Sequence, residues 1–480
     1  MHRQRLLLGA LLWALLPAIA GADGAAPWRA RAEAALGVPA LRGARVAALV
    51  VRASDGEVLF ARNPDEALIP ASNMKLLTAL AVLDAMGPTH RFRTRVLANE
   101  VPDASGAVQT LFVEGGGDPA FNNEDWWSLV ARLKRSGLRQ IRGDIVFDAS
   151  ALDGQRWHPS WGRTSARAYH APVAGLTANY GSFEVVVSPG REPGDPVEVE
   201  IDPPVEYLRI SNRARTGPPG SRNSLVVDRR AGGEGELVTI EGSVPASASR
   251  KVYRRSVLDP IAYAGSVFQW QLRRQGIAGG VKLRTGTVPQ DSVELLSFEG
   301  RTLAEITRLF VKYSNNSVAE SLVKHLGRSE TGQAGTWSDG IPALKRNLQS
   351  KGLWVDSARI IDGSGLSYEN RLTPRMIVAA LRHADASFRY GAEFVAALAI
   401  ARRDGTLARR AEGAQDAVRA KTGLLTRVTG LSGFAETAEG EVLVFSVLVN
   451  GYRRGDQAAM DAVDGFAEAL VGPGRSRNEE

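Results

Sequence analysis

Ser72 and Lys75, in the stretch IPASNMKLLTAL, have the residue types and spacing of a nucleophile and its base. A serine hydroxyl is a poor nucleophile until a base takes its proton, and a residue at position i+3 faces it across one helical turn. A free lysine titrates near ~10.4, so its pKa must fall towards neutrality before it serves as a base. Partial burial and a positive charge on Lys421 would both lower that pKa. The spacing therefore indicates a lysine placed where water is scarce so that it can lose its proton.

Two further groups of polar residues lie in settings that suit catalysis. Ser314 and Asn316 lie in a break between two helical patterns, and residues 421–423 (Lys-Thr-Gly) begin a predicted strand. Each group alone has an ordinary explanation, because Ser72 can cap a helix and Ser-Asn-Asn is a common interhelical turn. The order Ser-x-x-Lys, Ser-x-Asn, Lys-Thr-Gly on a helix, a turn and a strand matches a known signature of serine acyl-transfer enzymes. Three matches in that order favour the catalytic interpretation.

On these motifs the chain resembles the low-molecular-mass class C penicillin-binding proteins, the D-alanyl-D-alanine carboxypeptidase/endopeptidase family. The segments LFVEGGGDPAF, YHAPVAGLTANYGSFEV and IDGSGLSYENRLTP also resemble that family. The resemblance implies a serine-type carboxypeptidase, with possible endopeptidase activity, that acts on peptidoglycan stem peptides through an acyl-enzyme and is inhibited by penicillin and other β-lactams. It implies no metal and no organic cofactor.

The resemblance also assigns a role to each motif residue. Ser72 attacks the penultimate D-alanine carbonyl and Lys75 is its base, while Ser314 relays a proton to the leaving amine. Asn316 orients Lys75 and the substrate amide. The backbone N–H groups of Ser72 and Leu424 form the oxyanion hole. The expected substrate-binding residues are Lys421, Thr422, Gly423 and Leu424, of which Lys421 and Thr422 hold the terminal carboxylate.

Two positions depart from the family pattern. Leu424 stands where the family commonly has Thr or Ser, so a hydroxyl near the substrate carboxylate is lost while the backbone N–H remains. Tyr368 stands where the family often has Arg, after DGSGLS. We expect the chemistry to tolerate both changes, and we expect them to alter recognition of the stem peptide.

Other functional classes find less support in the sequence. The six histidines have no metal-ligand spacing, and His325 at helical spacing from Leu322 is expected to be packed or capping. Trp126 and Trp127 could stack on sugars, although core packing is the more ordinary role. Two alternatives stay open: a β-lactamase, and a non-catalytic protein that binds the cell wall or senses penicillin.

The elements that position these residues predict an α+β fold. Hairpins are predicted near Ser54–Gly56 and near Glu439–Gly440, and a helix is predicted before the end of the chain. We therefore expect strands from both ends of the chain to form one antiparallel sheet flanked by helices. The middle is rich in short strands, Gly and Pro. We therefore predict a transpeptidase/β-lactamase-like catalytic domain (27–92 and 300–475), a large β-rich insertion domain between the first and second motifs (93–190 and 251–299), and a smaller β-rich insertion nested within it (191–250).

The N-terminus and the composition bear on location and partners. Residues 1–22 combine Arg3 and Arg5 with an apolar run and small residues, the pattern of a secretory signal peptide, which predicts a periplasmic protein. The chain has 480 residues and no cysteine, so its fold depends on the core without disulfides. Its charge of +7 is scattered rather than clustered, which argues against a nucleic-acid partner. A positive charge would favour peripheral association with an anionic envelope, and it would favour solubility equally well. The sequence does not predict the oligomeric state.

Overall fold

The computed structural model describes residues 27–280, 282–453 and 455–472. The predicted signal peptide, residues 1–22, lies outside these ranges. Among the helices in the described residues, none has both the length and the apolar character needed to cross a membrane. The helices are α1 (Pro27–Leu36), α2 (Met74–Met86), α3 (Asn123–Arg135), α4 (Pro260–Arg274), α5 (Leu303–Tyr313), α6 (Asn316–Thr331), α7 (Trp337–Ser350), α8 (Pro374–Asp385), α9 (Gly391–Ala396) and α10 (Asp456–Val471).

Short strands alternate with these helices and predominate in the middle of the chain. They are β1 (Arg45–Arg52), β2 (Val58–Arg62), β3 (Arg91–Ala98), β4 (Ala107–Val108), β5 (Leu111–Gly115), β6 (Gln140–Ile141), β7 (Ile145–Asp148), β8 (Ser182–Ser188), β9 (Glu198–Asp202), β10 (Leu208–Asn212), β11 (Arg215–Gly217), β12 (Val226–Ala231), β13 (Glu236–Glu241), β14 (Ser243–Pro245), β15 (Lys251–Ser256), β16 (Ala278–Gly279), β17 (Leu283–Thr285), β18 (Val293–Thr302), β19 (Ala399–Ile400), β20 (Val418–Leu425), β21 (Val428–Glu436) and β22 (Val442–Asn450).

A six-stranded antiparallel sheet joins the two ends of the chain. Its order is β19–β20–β21–β22–β1–β2, so the first strand of the chain pairs with the last. The β1–β2 and β21–β22 hairpins lie where the turn residues predicted them. The α+β fold class, with an antiparallel sheet flanked by helices, is therefore confirmed.

Both faces of this sheet are covered by helices, as the alternation of side chains along β1 shows. Val46, Ala48 and Val50 belong to a hydrophobic cluster with α1 and α10. Ala47 and Leu49 belong to a second cluster on the opposite face with α2, α5, α6, α7 and α8. Successive side chains of a strand point to opposite faces, so an apolar residue at every position buries the strand on both sides. The sheet is therefore a rigid central layer.

Helix α2 is buried along most of its length, and it carries the first motif into the core. Leu76, Leu77 and Leu80 have no exposed surface. A helix that is apolar on most of its faces must be enclosed by other elements, and here α5, α6, α7 and α8 pack around it. The polar side chains of Lys75 and Thr78 on this helix are consequently removed from water.

Residues 93–299 form sheets of their own and share one hydrophobic cluster, which contains 36 buried residues between Val96 and Phe298. The largest of these sheets has the order β17–β7–β5–β3–β18 and mixes parallel with antiparallel pairs. Arg93 and Glu299, at the two predicted ends of the insertion, are direct cross-strand partners. Residues 191–250 contribute Val205 and other side chains to the same cluster. The domain boundaries stay a prediction.

The connection from this region into α5 uses a capping box. Thr302 accepts a hydrogen bond from the backbone N–H of Glu305, and the Glu305 carboxylate accepts one from the Thr302 N–H. This reciprocal arrangement satisfies donors that a helix start leaves free. It fixes the start of the helix whose other end carries Ser314.

Candidate active site

Ser72 lies in a tight turn immediately before α2. Residues Ala71–Asn73 form a single 3-10 turn, and Ala71 adopts a left-handed conformation with φ 46°. The Ser72 side chain makes no capping hydrogen bond, so the ordinary role of a helix cap does not apply to it. It is half-buried, whereas Lys75 has no exposed surface.

The Lys75 amine is held by three oxygen atoms. Its Nζ lies 3.0 Å from Ser72 Oγ, 2.7 Å from Asn316 Oδ1 and 2.6 Å from the backbone oxygen of Ser364. A neutral amine has two N–H donors and one lone pair. The Asn316 and Ser364 oxygens accept the two N–H bonds, and the lone pair then faces the Ser72 hydroxyl. This is the geometry of a base about to take the serine proton.

Burial lowers the pKa of Lys75 to about 7, because a charged amine is costly away from water. The carboxylates of Asp362 and Glu320 act in the opposite direction and limit the fall. Burial and the Lys75 charge hold the pKa of Lys421 well below its usual value. The repulsion expected between the two buried lysines is therefore found on Lys421. The expected direction for Lys75 is thus found, and burial is its main cause.

The second motif lies where α5 ends and α6 begins. Ser314 closes α5 in a left-handed conformation (φ 61°, ψ 37°), which is uncommon for a residue with a side chain. Asn315 caps α6 by accepting a hydrogen bond from the Val318 N–H. Asn316 is the first residue of α6, and its Nδ2 donates to the Tyr169 carbonyl at 2.9 Å. That bond fixes the amide so that Oδ1 points to Lys75.

The third motif lies on β20 and supplies a second serine–lysine pair. Lys421 Nζ donates to Ser314 Oγ at 2.9 Å and to the backbone oxygen of Thr422 at 2.7 Å, and the lysine has no exposed surface. The Thr422 hydroxyl donates to Thr406 Oγ1 at 2.8 Å. Hydrogen bonds thus connect the first motif to the second through Lys75 and Asn316, and the third to the second through Lys421 and Ser314.

Gly423 is required where β20 passes the turn before α2. A Cβ atom at this position would lie 2.8 Å from the Pro70 carbonyl oxygen and 2.6 Å from Asn73 Nδ2. Contacts that short do not occur, so only glycine allows the strand and the turn to approach this closely.

The two departures from the family pattern lie near each other on the exposed side of β20. Leu424 and Tyr368 are 45% and 48% exposed. The Tyr368 hydroxyl accepts a hydrogen bond from the Thr426 N–H at 3.1 Å, so this side chain spans from the loop before α8 to the β20–β21 turn. Leu424 and Tyr368 therefore place an apolar and an aromatic side chain on the surface that follows Gly423.

Two buried carboxylates close to Lys75 were missed by sequence reasoning. Asp362 accepts hydrogen bonds from the backbone N–H groups of Gly365 and Ser367, each at 2.7 Å, and from Trp161 Nε1 at 2.9 Å. Glu320 on α6 binds the same loop. The loop lies within IDGSGLSYENRLTP, which the family resemblance singled out without giving it a role.

The insertion reaches the site through its segment between β7 and β8. Tyr169 supplies the carbonyl that holds Asn316, and Trp161 binds Asp362. Trp126 is fully buried as expected, whereas Trp127 is 55% exposed. His325 is packed in the core beside Gly117, and burial lowers its pKa to about 4. Within the described ranges there is no cluster of His, Cys, Asp or Glu that could hold a metal ion.

Comparisons with known proteins identify the family and the fold. Residues 29–470 match the model of the D-Ala-D-Ala carboxypeptidase 3 (S13) family. A D-alanyl-D-alanine carboxypeptidase from an Actinomadura species is 38% identical over 467 residues, covering 93% of this chain and 85% of the relative. The D-alanyl-D-alanine carboxypeptidase DacB of Haemophilus influenzae is 26% identical, covering 86% of this chain and 87% of the relative. The crystal structure of penicillin binding protein 4 from Haemophilus influenzae superposes with a TM-score of 0.77 at 23% identity, covering 92% of this chain and 98% of that one.

Proposed function

The chain belongs to the D-Ala-D-Ala carboxypeptidase 3 (S13) family, and we propose that it performs the carboxypeptidase reaction with Ser72 as nucleophile and Lys75 as base. The family match spans most of the chain, and the Actinomadura relative is a D-alanyl-D-alanine carboxypeptidase. The protein is thus a serine-type carboxypeptidase of the low-molecular-mass class C penicillin-binding proteins. The assignment of its residues to individual steps is our proposal.

The observation that carries this assignment is the set of contacts around Lys75. Two of its three partners, Asn316 Oδ1 and the Ser364 carbonyl, can only accept hydrogen bonds from it. The third, the Ser72 hydroxyl, can donate. With its pKa near 7, the lysine is available as a free amine at neutral pH. A nucleophile with its base at hydrogen-bond distance is the signature of covalent catalysis.

Acylation follows from these positions. Lys75 takes the proton of Ser72, and Ser72 Oγ forms a bond to the carbonyl carbon of the penultimate D-alanine. The backbone N–H groups of Ser72 and Leu424 stabilise the oxyanion. The bond between that carbon and the terminal D-alanine nitrogen then breaks, and the proton held by Lys75 passes through Ser314 to the leaving amine, which restores the free amine of Lys75. In deacylation Lys75 takes a proton from water as the water oxygen bonds to the ester carbon. The Ser72 Oγ–C bond then breaks, Ser72 Oγ regains that proton, and the shortened peptide is released.

The terminal carboxylate of the substrate is the natural counter-ion for Lys421. Burial is costly for its charged form and holds the pKa of Lys421 well below its usual value. An anion within hydrogen-bond distance favours the charged form and raises the pKa again. The substrate carboxylate therefore stabilises the charged form of Lys421, with Thr422 as a second donor and Gly423 and Leu424 beside it.

The finer assignments rest on the same site. We propose that peptidoglycan stem peptides are the substrates, that β-lactams acylate Ser72, and that the protein works in the periplasm after export. Cleavage of cross-linked peptides, the endopeptidase reaction, is open to the same chemistry if the insertion admits them. The apolar surface at Leu424 and Tyr368 does not favour a stem peptide that presents a charged side chain there.

The test is steady-state release of D-alanine from a peptide ending in D-alanyl-D-alanine, compared with turnover of benzylpenicillin. We expect peptide turnover, slow penicillin turnover, and loss of both in Ser72→Ala. Fast penicillin turnover with little D-alanine release would instead indicate a β-lactamase. Acylation without any peptide turnover would indicate a penicillin sensor.

A further inference from the structure

Helix α6 carries three polar residues at intervals of four, and they share one face. Asn316, Glu320 and Lys324 follow one another by one helical turn each. Asn316 binds Lys75, whereas Lys324 binds the Asp153 carboxylate and the Gln155 carbonyl of the insertion. Glu320 lies between them, fully buried, and it is not part of any motif.

The Glu320 carboxylate holds the backbone next to Lys75. Its Oε1 accepts a hydrogen bond from the Ser364 N–H at 2.7 Å. Its Oε2 accepts one from the Gly363 N–H at 3.2 Å and one from Trp337 Nε1 at 2.8 Å. Two of the three donors are successive peptide groups of the loop that carries the Ser364 carbonyl, and that carbonyl lies 2.6 Å from Lys75 Nζ.

We propose that Glu320 is a positioning residue for acylation. By fixing the Gly363 and Ser364 peptides it aims the Ser364 carbonyl at the Lys75 amine, and the lone pair of that amine is thereby kept towards Ser72. Without this anchor the loop could turn its carbonyl away, and the amine would lose one of the two acceptors that orient it. The inference rests on the proposed function, in which Lys75 is the base.

The hydrogen-bond pattern requires Glu320 to be ionised. All three of its neighbours donate, so a protonated carboxyl would present an O–H with no acceptor among them. Burial and the Asp362 charge raise the pKa of Glu320 to about 7, while the bonds from Gly363 and Ser364 oppose that rise. Above about pH 7 Glu320 is therefore charged while Lys75 is neutral.

That charge acts on Lys75 as well as on the loop. Glu320 and Asp362 both raise the pKa of Lys75. The other charged groups that face this pair are Lys421 on β20 and Lys324 on α6, with His158 of the insertion beyond Asp362. Removing the Glu320 charge therefore lets the pKa of Lys75 fall further, whereas a purely structural role would leave it unchanged.

The experiment measures the second-order rate of acylation by a fluorescent penicillin from pH 5 to pH 9. Glu320→Gln retains the shape but has one acceptor oxygen, so at least one of the three donors loses its partner. We expect the maximal rate to fall about tenfold or more, and the acidic limb of the profile to move to lower pH by about one unit. Glu320→Asp keeps the charge, so its limb should stay at the wild-type pH while its rate falls.

A matched control comes from Glu236, another buried glutamate, which accepts hydrogen bonds from Tyr207 and the Leu258 N–H within the insertion. Glu236→Gln should leave the rate and the limb as in the wild type. Wild-type rates in Glu320→Gln, or a lower rate with an unmoved limb, would overturn the inference. If circular dichroism shows that Glu320→Gln is unfolded, wild-type rates of acylation in Glu320→Asp would overturn the inference instead. A wild-type protein that penicillin does not acylate would overturn the proposed function itself.

Discussion

At the scale of residues, the chemistry depends on the absence of water around one amine. Lys75 is the second residue of a mostly apolar helix, and its amine is held by Asn316 and the Ser364 carbonyl. An exposed lysine is charged at neutral pH and has no lone pair to offer. Burial shifts the balance to the free amine, and the two acceptors orient it.

This account predicts the pH dependence of acylation. A lysine loses its proton as the pH rises through its pKa, so the base form of Lys75 predominates above about pH 7. The second-order rate of acylation by penicillin should rise about tenfold per pH unit below that value and then level off. Stopped-flow measurement across pH 5–9 checks this. An acylation rate that levels off only near the pKa of an exposed lysine, or one that does not change with pH, would exclude Lys75 as the base.

Replacing Lys75 by arginine tests the same role, because it puts a group that cannot lose its proton at the same position. Arginine stays protonated throughout the accessible pH range, so Lys75→Arg should lower the rate of acylation by roughly 10³-fold or more. The exposed Lys282 offers the matched control, because Lys282→Arg should acylate like the wild type. Acylation of Lys75→Arg within about tenfold of wild type would show that another group takes the proton.

The sequence predicts the catalytic side chains of the site better than the groups that hold them in place. Ser72, Lys75, Ser314, Asn316 and Lys421 fall in short local motifs, so their types and order are visible without a structure. Their roles stay proposals, but the structure does bring them together. Neither the Tyr169 nor the Ser364 carbonyl could be predicted, because every residue has one. Glu320 was missed because the peptide groups that it holds, those of Gly363 and Ser364, lie more than forty positions away in sequence.

At the scale of elements, the site exists because a turn, a helix junction and a strand meet closely. The hairpins were predictable because Asp-Gly and Glu-Gly turns mark them locally. The α5 cap was equally predictable, since Thr302 and Glu305 lie three residues apart. The parallel strand pairs of the insertion could not be predicted, because β17 and β7 lie more than a hundred residues apart in sequence.

The close approach of β20 to the turn before α2 gives an element-scale prediction. In Gly423→Ala the new methyl group would meet the Pro70 carbonyl oxygen, which cannot move without shifting Ser72. We expect the rate of acylation to fall by about tenfold to a hundredfold, because the nucleophile and the Leu424 N–H separate. Gly154→Ala is the control, since nothing lies within 4 Å of its new Cβ atom. Equal rates for the two variants would contradict the proposed packing.

At the scale of the whole molecule, the insertion and the catalytic helices are joined by buried polar contacts. Lys324 has no exposed surface, its amine is paired with Asp153, and it lies 3.8 Å from the centre of the Trp337 ring. Trp337 in turn donates to Glu320. The insertion is therefore connected to the catalytic centre by side chains as well as by its two ends.

This connection predicts a loss of stability when one partner is removed. Asp153→Asn leaves the Lys324 amine buried without its carboxylate, which should lower the free energy of unfolding by about 2–3 kcal/mol. The exposed pair of Glu200 and Arg250 provides the control, and Glu200→Gln should change stability little. Urea unfolding followed by tryptophan fluorescence measures both. Similar stability for the two variants would mean that the buried pair does not join the regions.

The central claim is that Ser72 is the residue that becomes acylated. The direct measurement is to react the protein with a fluorescent penicillin, digest it with a protease, and locate the labelled peptide by mass spectrometry, with Ser72→Ala alongside. The account predicts one adduct, on Ser72, and none in the variant. An adduct on Ser314, or a label that persists in Ser72→Ala, would contradict it.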